Sequence, residues 1–430
     1  MENYTNIKIK NHILKIVGVF PVQPSFEQEA LITGYELHQF APASLSFYKD
    51  YFYKGFRDLY TLAGENNKVR RLTKKLATTC TITSGLESSK FYKEINLQIN
   101  QIDLFLFPDS FGMFSLDLNV QFDDTLPHLA QFSDACFIVR EFERGLIQGT
   151  DLNWNAFIVK EYLLGQKTRG EGVDLDEYSG NKFKLFTACD FEEPLDLTMQ
   201  NALLYDIGCV VQPGTAISND VNAPSDEYKL YLADNYQFSA FRNWRGIALL
   251  DTFVIVGNNI LTTEFQLTTF RESYFLIYLH NLYVKYNLFK FNTDTSDYKT
   301  DLRPDLREFL NHFNLSFVSY NFLPSMINTK LRLALDIENE VDTLTKRIQE
   351  IGAVVEEKSQ EKTNLLLGLV SFVASLSAIE PFWGYAVKVQ EYFDLPEYAA
   401  YIILFGSGGS ILAFVFYMPE KIKNFINRWI

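Results

Sequence analysis

The sequence predicts an α/β cytosolic domain followed by a long stalk helix continuous with the first of two C-terminal transmembrane helices. Three observations lead there: a strand of strict apolar–polar alternation at residues 113–122, an apolar heptad seam from Ile337 to Val355, and two stretches almost free of charge at residues 363–387 and 398–419. The first domain is assigned residues 1–323, the stalk residues 324–362.

Within the domain, residues 102–107 (IDLFLF), a turn at 108–112 and the run to Phe122 read as a β-hairpin. Phe114, Leu116, Leu118, Val120 and Phe122 alternate with Ser115, Asp117, Asn119 and Gln121, a period of two that implies one buried and one polar face. Residues 126–143 follow as an amphipathic helix, and residues 182–191 and 246–257 as further strands. Residues 265–291 are apolar enough to suggest a span, but Arg271, Glu272, His280, Lys285 and Lys290 interrupt them, so they read as a buried helix of the domain. Residues 302–321 make another helix, ending before Pro324.

Pro324 opens a stretch with no further proline until Pro381, and Ser325 is placed to cap a helix. Ile337, Val341, Leu344, Ile348, Ile351 and Val355 recur at alternating intervals of four and three, the a/d seam of a coiled coil. This seam predicts self-association; packing on the chain's own domain is its alternative. A single helix from about residue 325 to 380 would measure on the order of 80 Å.

Residues 363–387 carry Glu380 as their one charge and residues 398–419 carry none, and each exceeds the roughly 20 residues needed to cross about 30 Å of hydrocarbon. The loop at 388–397 is acidic, whereas Lys346, Arg347, Lys358 and Lys362 precede the first span and the tail at 420–430 is basic. Basic flanks belong inside, so both termini are expected in the cytosol of a bacterium with the two helices in its inner membrane. Asn364, Gly368, Ser371 and Ser375 form one helical stripe of small and polar residues, expected to line a pore. Glu380 sits at the expected mouth, beside Trp383, Gly384 and Tyr385. Residues 406–410 (GSGGS), without a following lysine, read as a helix-packing surface rather than a phosphate loop.

This arrangement resembles the CorA-like divalent-cation channel superfamily. In that family the first span ends in an aromatic residue followed by Gly-Met-Asn; here Trp383 and Gly384 fit, while Tyr385 and Ala386 depart from it. A methyl group in place of the family's asparagine points away from dedicated magnesium uptake and towards divergent members, among them zinc exporters and nucleotide-gated effectors of anti-phage defence. The resemblance implies a homo-oligomeric ion channel, tetramer or pentamer, gated by its cytosolic domain, with lipid and permeating cations as partners. The alternative is a divalent-metal (Mg, Co or Zn) transporter regulated by metal bound to the acidic domain.

The 430 residues carry a net charge of -14, which argues against broad attraction to nucleic acid. Cys80, Cys136, Cys189 and Cys209 lack close spacing and read as reduced thiols, and no secretory leader is expected. The histidines His12, His38, His128, His280 and His312 are scattered, and no nucleophile elbow, zinc helix or phosphate loop is present. No enzyme, cofactor or metal site is expected. Two basic clusters stand against the acidic background: Lys68, Arg70, Arg71, Lys74 and Lys75, and Arg242, Trp244 and Arg245. Guanidinium groups beside an aromatic ring suit a small anionic nucleotide or oligonucleotide.

Overall fold

The computed structural model describes residues 7–40, 42–60, 68–84, 94–108, 110–142, 145–166, 182–221, 223–294, 302–396, 398–403 and 406. The chain divides into two compact units, Met1–Lys346 and Arg347–Ile430.

The first unit begins with β1 (Ile9–Pro21), α1 (Phe26–Ile32), β2 (Glu36–Leu37), α2 (Pro42–Tyr51) and α3 (Lys54–Tyr60). There follow β3 (Arg70–Ser84), β4 (Glu94–Phe107), β5 (Phe111–Val120), α4 (His128–Arg140), β6 (Gly145–Ile147), α5 (Trp154–Tyr162) and β7 (Lys184–Phe191). Next come α6 (Leu197–Gly208), α7 (Asp226–Tyr236), β8 (Gln237–Phe241), β9 (Trp244–Ala248) and β10 (Thr252–Asn258). A capping box between Thr263 and Gln266 starts α8 (Glu264–Thr268), which widens into a π turn (Thr269–Tyr274) before α9 (Phe275–Asp294). Then come α10 (Leu302–Phe313), α11 (Phe322–Ala334) and α12 (Ile337–Tyr392).

The strands join in one sheet, ordered β2-β3-β4-β5-β1-β7-β10-β9-β8 with β6 on β3. Among the described pairings only β7 with β10 is parallel. β1 lies in the interior of the sheet, so its alternating side chains serve two covered faces. On one face Leu14, Ile16, Phe114, Leu116 and Leu118 join Phe132 and Val139 of α4, Trp154 and Ile158 of α5, and Leu203 and Ile207 of α6 in a single apolar core. Burial of each such side chain contributes about 1.5–3 kcal/mol. The other face is covered by the π turn and α9. There Phe105 and Phe186 meet Phe275, Phe107 stacks on Tyr283 at 3.7 Å, and Phe111 stacks on Tyr286 at 4.0 Å.

The expected α/β class, the hairpin of β4 and β5 and the buried helix α9 are all observed. The polar face assigned to β5 is not solvated: Ser115 and Asp117 are buried. The single rod from 325 to 380 is also not formed. α11 ends at Ala334, Asp336 takes a left-handed φ of 55°, and α12 then runs through Pro381 to Tyr392. Of the heptad seam, Ile337 and Leu344 are buried within the single chain, Val341 and Ile348 are half-buried, and the side chains of Ile351 and Val355 lie outside the described ones.

The two expected transmembrane helices are not seen. Among the described residues no helix is long and apolar enough to cross a membrane. The charge-free run between Lys362 and Glu380 covers residues 363–379, about 26 Å of helix, and Asn364, Gly368, Ser371, Ser375 and Ser377 dilute it further. The multi-pass inner-membrane location and the transmembrane pore fall with this finding. Of the second expected span only residues 398–403 and 406 are described; the rest, with Ser407–Ser410 and the basic tail, lies outside the described residues.

Candidate functional site

Alternation along the strands explains why charge collects under the π turn. Lys15 on β1 lies opposite Asp117 on β5, and Asp103 on β4 lies opposite both Ser115 on β5 and Thr73 on β3. All point to the face that the π turn covers. The Lys15 side chain is fully buried, its ammonium 3.7 Å from Asp117 Oδ2 and 4.4 Å above the Phe275 ring. No hydrogen bond to this ammonium forms among the described residues.

Beside it, Arg71 is gripped from two sides. Its Nε and Nη2 donate to Asp103 at 3.1 and 3.0 Å, and its Nη1 and Nη2 donate to Glu272 of the π turn at 2.6 and 3.2 Å. Two bidentate pairs on one guanidinium use the planar fork that lysine lacks. Burial opposes the Arg71 charge, but the Asp103 and Glu272 carboxylates outweigh it and keep the group protonated. Burial likewise pushes the Asp103 carboxyl up, and Arg71 followed by Lys15 more than reverse this, holding it well below the usual range. Glu272 is lowered against burial by the same two cations.

Thr73 Oγ1 donates to Asp103 at 2.6 Å and stands 3.0 Å from His38 Nδ1, so that ring nitrogen carries the proton. Burial, with Arg71 next, lowers the His38 pKa to about 4. The three cations Lys15, Arg71 and Arg271 balance Asp103, Asp117 and Glu272. A closed, neutral layer of this kind fixes register and rigidity rather than offering a free acid or base. Among the described residues no group of His, Cys, Asp and Glu is placed to hold a metal ion. All four cysteines are free thiols, and burial pushes those of Cys80 and Cys209 up to about 11.

The first basic cluster is dispersed by strand geometry. Arg71 is buried as described, Arg70 pairs with Glu27 at 2.6 Å, and Lys74 donates to Thr33 O at 2.9 Å over the Tyr35 ring. Lys68 is half-buried and Lys75 exposed. The second cluster lies at the turn between β8 and β9. Trp244 is buried and faces an aromatic cleft of about 400 Å³ with Phe265, Phe270 and Tyr274. Arg245, next along the strand, points to the opposite face, where it shares a second cleft of about 400 Å³ with Arg242, Gln200 and Ser239. Phe241 borders both clefts. Neither Arg242 nor Arg245 has a carboxylate partner among the described residues.

The expected pore residues all fall on or beside α12. Asn364, Gly368, Ser371, Glu380, Gly384 and Tyr385 are exposed, Trp383 is half-buried with its ring 4.9 Å from that of Tyr401, and the Ser375 side chain is outside the described ones. Sequence reading missed Lys15, Asp103, Asp117, Arg271 and Glu272 as one cluster. The available signal was a lysine inside the apolar run Ile13–Val19 and two aspartates in strands otherwise rich in leucine and phenylalanine. No protein family, curated protein or solved structure matches this chain.

Proposed function

We propose that this chain is a regulatory binding protein, not a catalyst, that takes a small anionic ligand of nucleotide type in the cleft between the start of α6 and the β8–β9 hairpin. The observation that carries the reading is the pair Arg242 and Arg245, together on the lining of one cleft with Gln200 and Ser239 and without an acidic partner among the described residues. Buried or bound arginines elsewhere in the chain, such as Arg70, Arg71 and Arg332, each hold a carboxylate. Two uncommitted guanidinium groups suit phosphate oxygens, and the exposed Phe241 ring offers a face for a base.

α12 supplies the assembly element. Leu365, Leu366, Leu369 and Val370 are each more than half exposed and repeat at helical spacing, an apolar stripe that a second copy of the chain covers.

Titration calorimetry with a panel of mono- and dinucleotides tests the ligand reading. Each lost charge-assisted contact is worth about 1.5–3 kcal/mol, so Arg242→Ala or Arg245→Ala raises Kd at least roughly tenfold. Equal affinity in the double variant sinks the reading. Sedimentation of the Leu366→Glu/Leu369→Glu variant tests assembly, with a drop to monomer expected.

A further inference from the structure

We propose a second binding site, for a small hydroxyl-bearing phosphate ester, in the polar cleft where β1, β4 and β5 reach the π turn. The cleft encloses about 500 Å³ and is walled by Lys10, Asn11, His12, Asn100, Asn119 and Arg271. It lies apart from the Arg242–Arg245 cleft and shares no lining residue with it.

Three backbone irregularities converge on this one place. β1 slips register between Ile9 and Asn11, β4 bulges between Ile99 and Gln101, and the helix that follows α8 opens into the π turn that carries Arg271. Bulges and π turns re-aim side chains that regular elements would direct elsewhere, and they recur beside functional sites. Here they bring an amide, a second amide and a guanidinium onto one wall.

The charge of the cleft is positive. Asp117, which is not one of its lining residues, accepts from Asn100 Nδ2 at 3.3 Å and lies 3.2 Å from Arg271 Nε and 3.7 Å from the Lys15 ammonium. Among its described lining residues Lys10 and Arg271 are charged, both positive, and no carboxylate lines the wall. His12 contributes no charge. Its Nε2 accepts from Val120 N–H at 3.0 Å, which places the proton on Nδ1, and burial followed by Arg271 lowers its pKa to about 4. A dianionic head group can take the ammonium, guanidinium and amide donors together. The amide oxygens of Asn11, Asn100 and Asn119 remain as acceptors for hydroxyl groups, which a bare inorganic ion would leave unused.

The test titrates ribose 5-phosphate, with inorganic phosphate alongside, into the full chain by calorimetry. Saturable binding of the ester, tighter than that of phosphate, is expected. Lys10→Glu, a change at an exposed residue, weakens binding more than tenfold while the melting temperature of the free protein stays unchanged; Arg271→Gln weakens it further. The Arg242→Ala/Arg245→Ala variant binds as the parent does. Absence of saturation at millimolar ester overturns the proposal, as does unchanged affinity in Lys10→Glu. Loss of binding in the Arg242/Arg245 variant instead assigns the ester to the other cleft and also overturns it.

Discussion

On the α4–α6 side of the sheet, Phe114, Leu116 and Leu118 of β5 belong to the apolar core, whereas Ser115 and Asp117, one residue away on the same strand, face a layer of ions under the π turn. These β5 residues are all buried, so exposure does not distinguish them. Their physics does. The apolar side gains from area removed from water and from close packing, terms that degrade gradually as atoms are removed. The ionic side is stable only while every charge keeps its partner, because the desolvation cost of each group is met by the next one. Regular helices cover the first side, and the irregular π turn together with α9 covers the second.

The largest expected effect breaks the ionic side at its centre. Arg71→Ala strands Asp103 and Glu272 without their guanidinium and should cost about 3–5 kcal/mol, measured by urea denaturation. Replacing all three groups together, as Arg71→Met/Asp103→Leu/Glu272→Met, should recover most of that loss, since the charges to be desolvated are then gone. A triple variant as unstable as Arg71→Ala would break the comparison, because the layer would then act through packing alone.

The matching cut on the apolar side is Leu116→Ala, with an expected loss of about 2–5 kcal/mol from transfer and cavity terms. Its cost should be the same at pH 5 and pH 8, because no titrating group touches the cavity. Acid, by contrast, acts on the whole chain through histidines. Burial is the first cause that lowers His12 and His38 to about 4 and His280 to about 3. A folded pKa below the unfolded value of about 6.5 means that the unfolded chain binds protons first, so stability is full above pH 6.5 and falls as pH drops towards 4, by up to about 1.4 kcal/mol per pH unit for each histidine. Asp103 and Glu272, depressed in the folded state, keep their contribution down to the unfolded carboxylate range near pH 4 and lose it below. Denaturation midpoints across pH 4–8 should therefore show a first decline from histidine and a second from the ionic layer. His280→Gln should flatten the first alone.

The contrast also explains which parts of the molecule were legible in the sequence. β5 was, because a period of two survives in the letters whatever covers the strand. What covers it was not: Ser115 and Asp117 have the composition of a wet face, and only the fold brings Glu272, 155 positions after Asp117, over that face. The run from Lys68 to Lys75 is one cluster in the sequence, yet strand alternation sends Arg71 inward and Arg70 and Lys74 to separate partners. The same alternation separates Trp244 from Arg245. The break between α11 and α12 left no glycine or proline to mark it, only Asp336, one of the few residue types that tolerate a left-handed φ. The heptad letters of Ile337 and Leu344 describe an apolar stripe correctly but do not say whether a partner or the chain itself buries it.

The smallest predicted effect separates two kinds of arginine. Arg242 and Arg245 belong to neither buried side, touch no carboxylate among the described residues and sit at a hairpin edge, so removing both should change the unfolding free energy by no more than about 0.5 kcal/mol. The same substitutions should abolish most ligand affinity. Arg71 should show the reverse pattern, with stability lost before any effect on binding can be read. If Arg242→Ala/Arg245→Ala lowers the melting temperature as Arg71→Ala does, these guanidinium groups hold the hairpin together, and the binding cleft between α6 and β9 loses its basis. An unchanged melting temperature with lost affinity marks them as groups kept uncommitted in the folded chain, which is the condition an anion needs in order to compete for them.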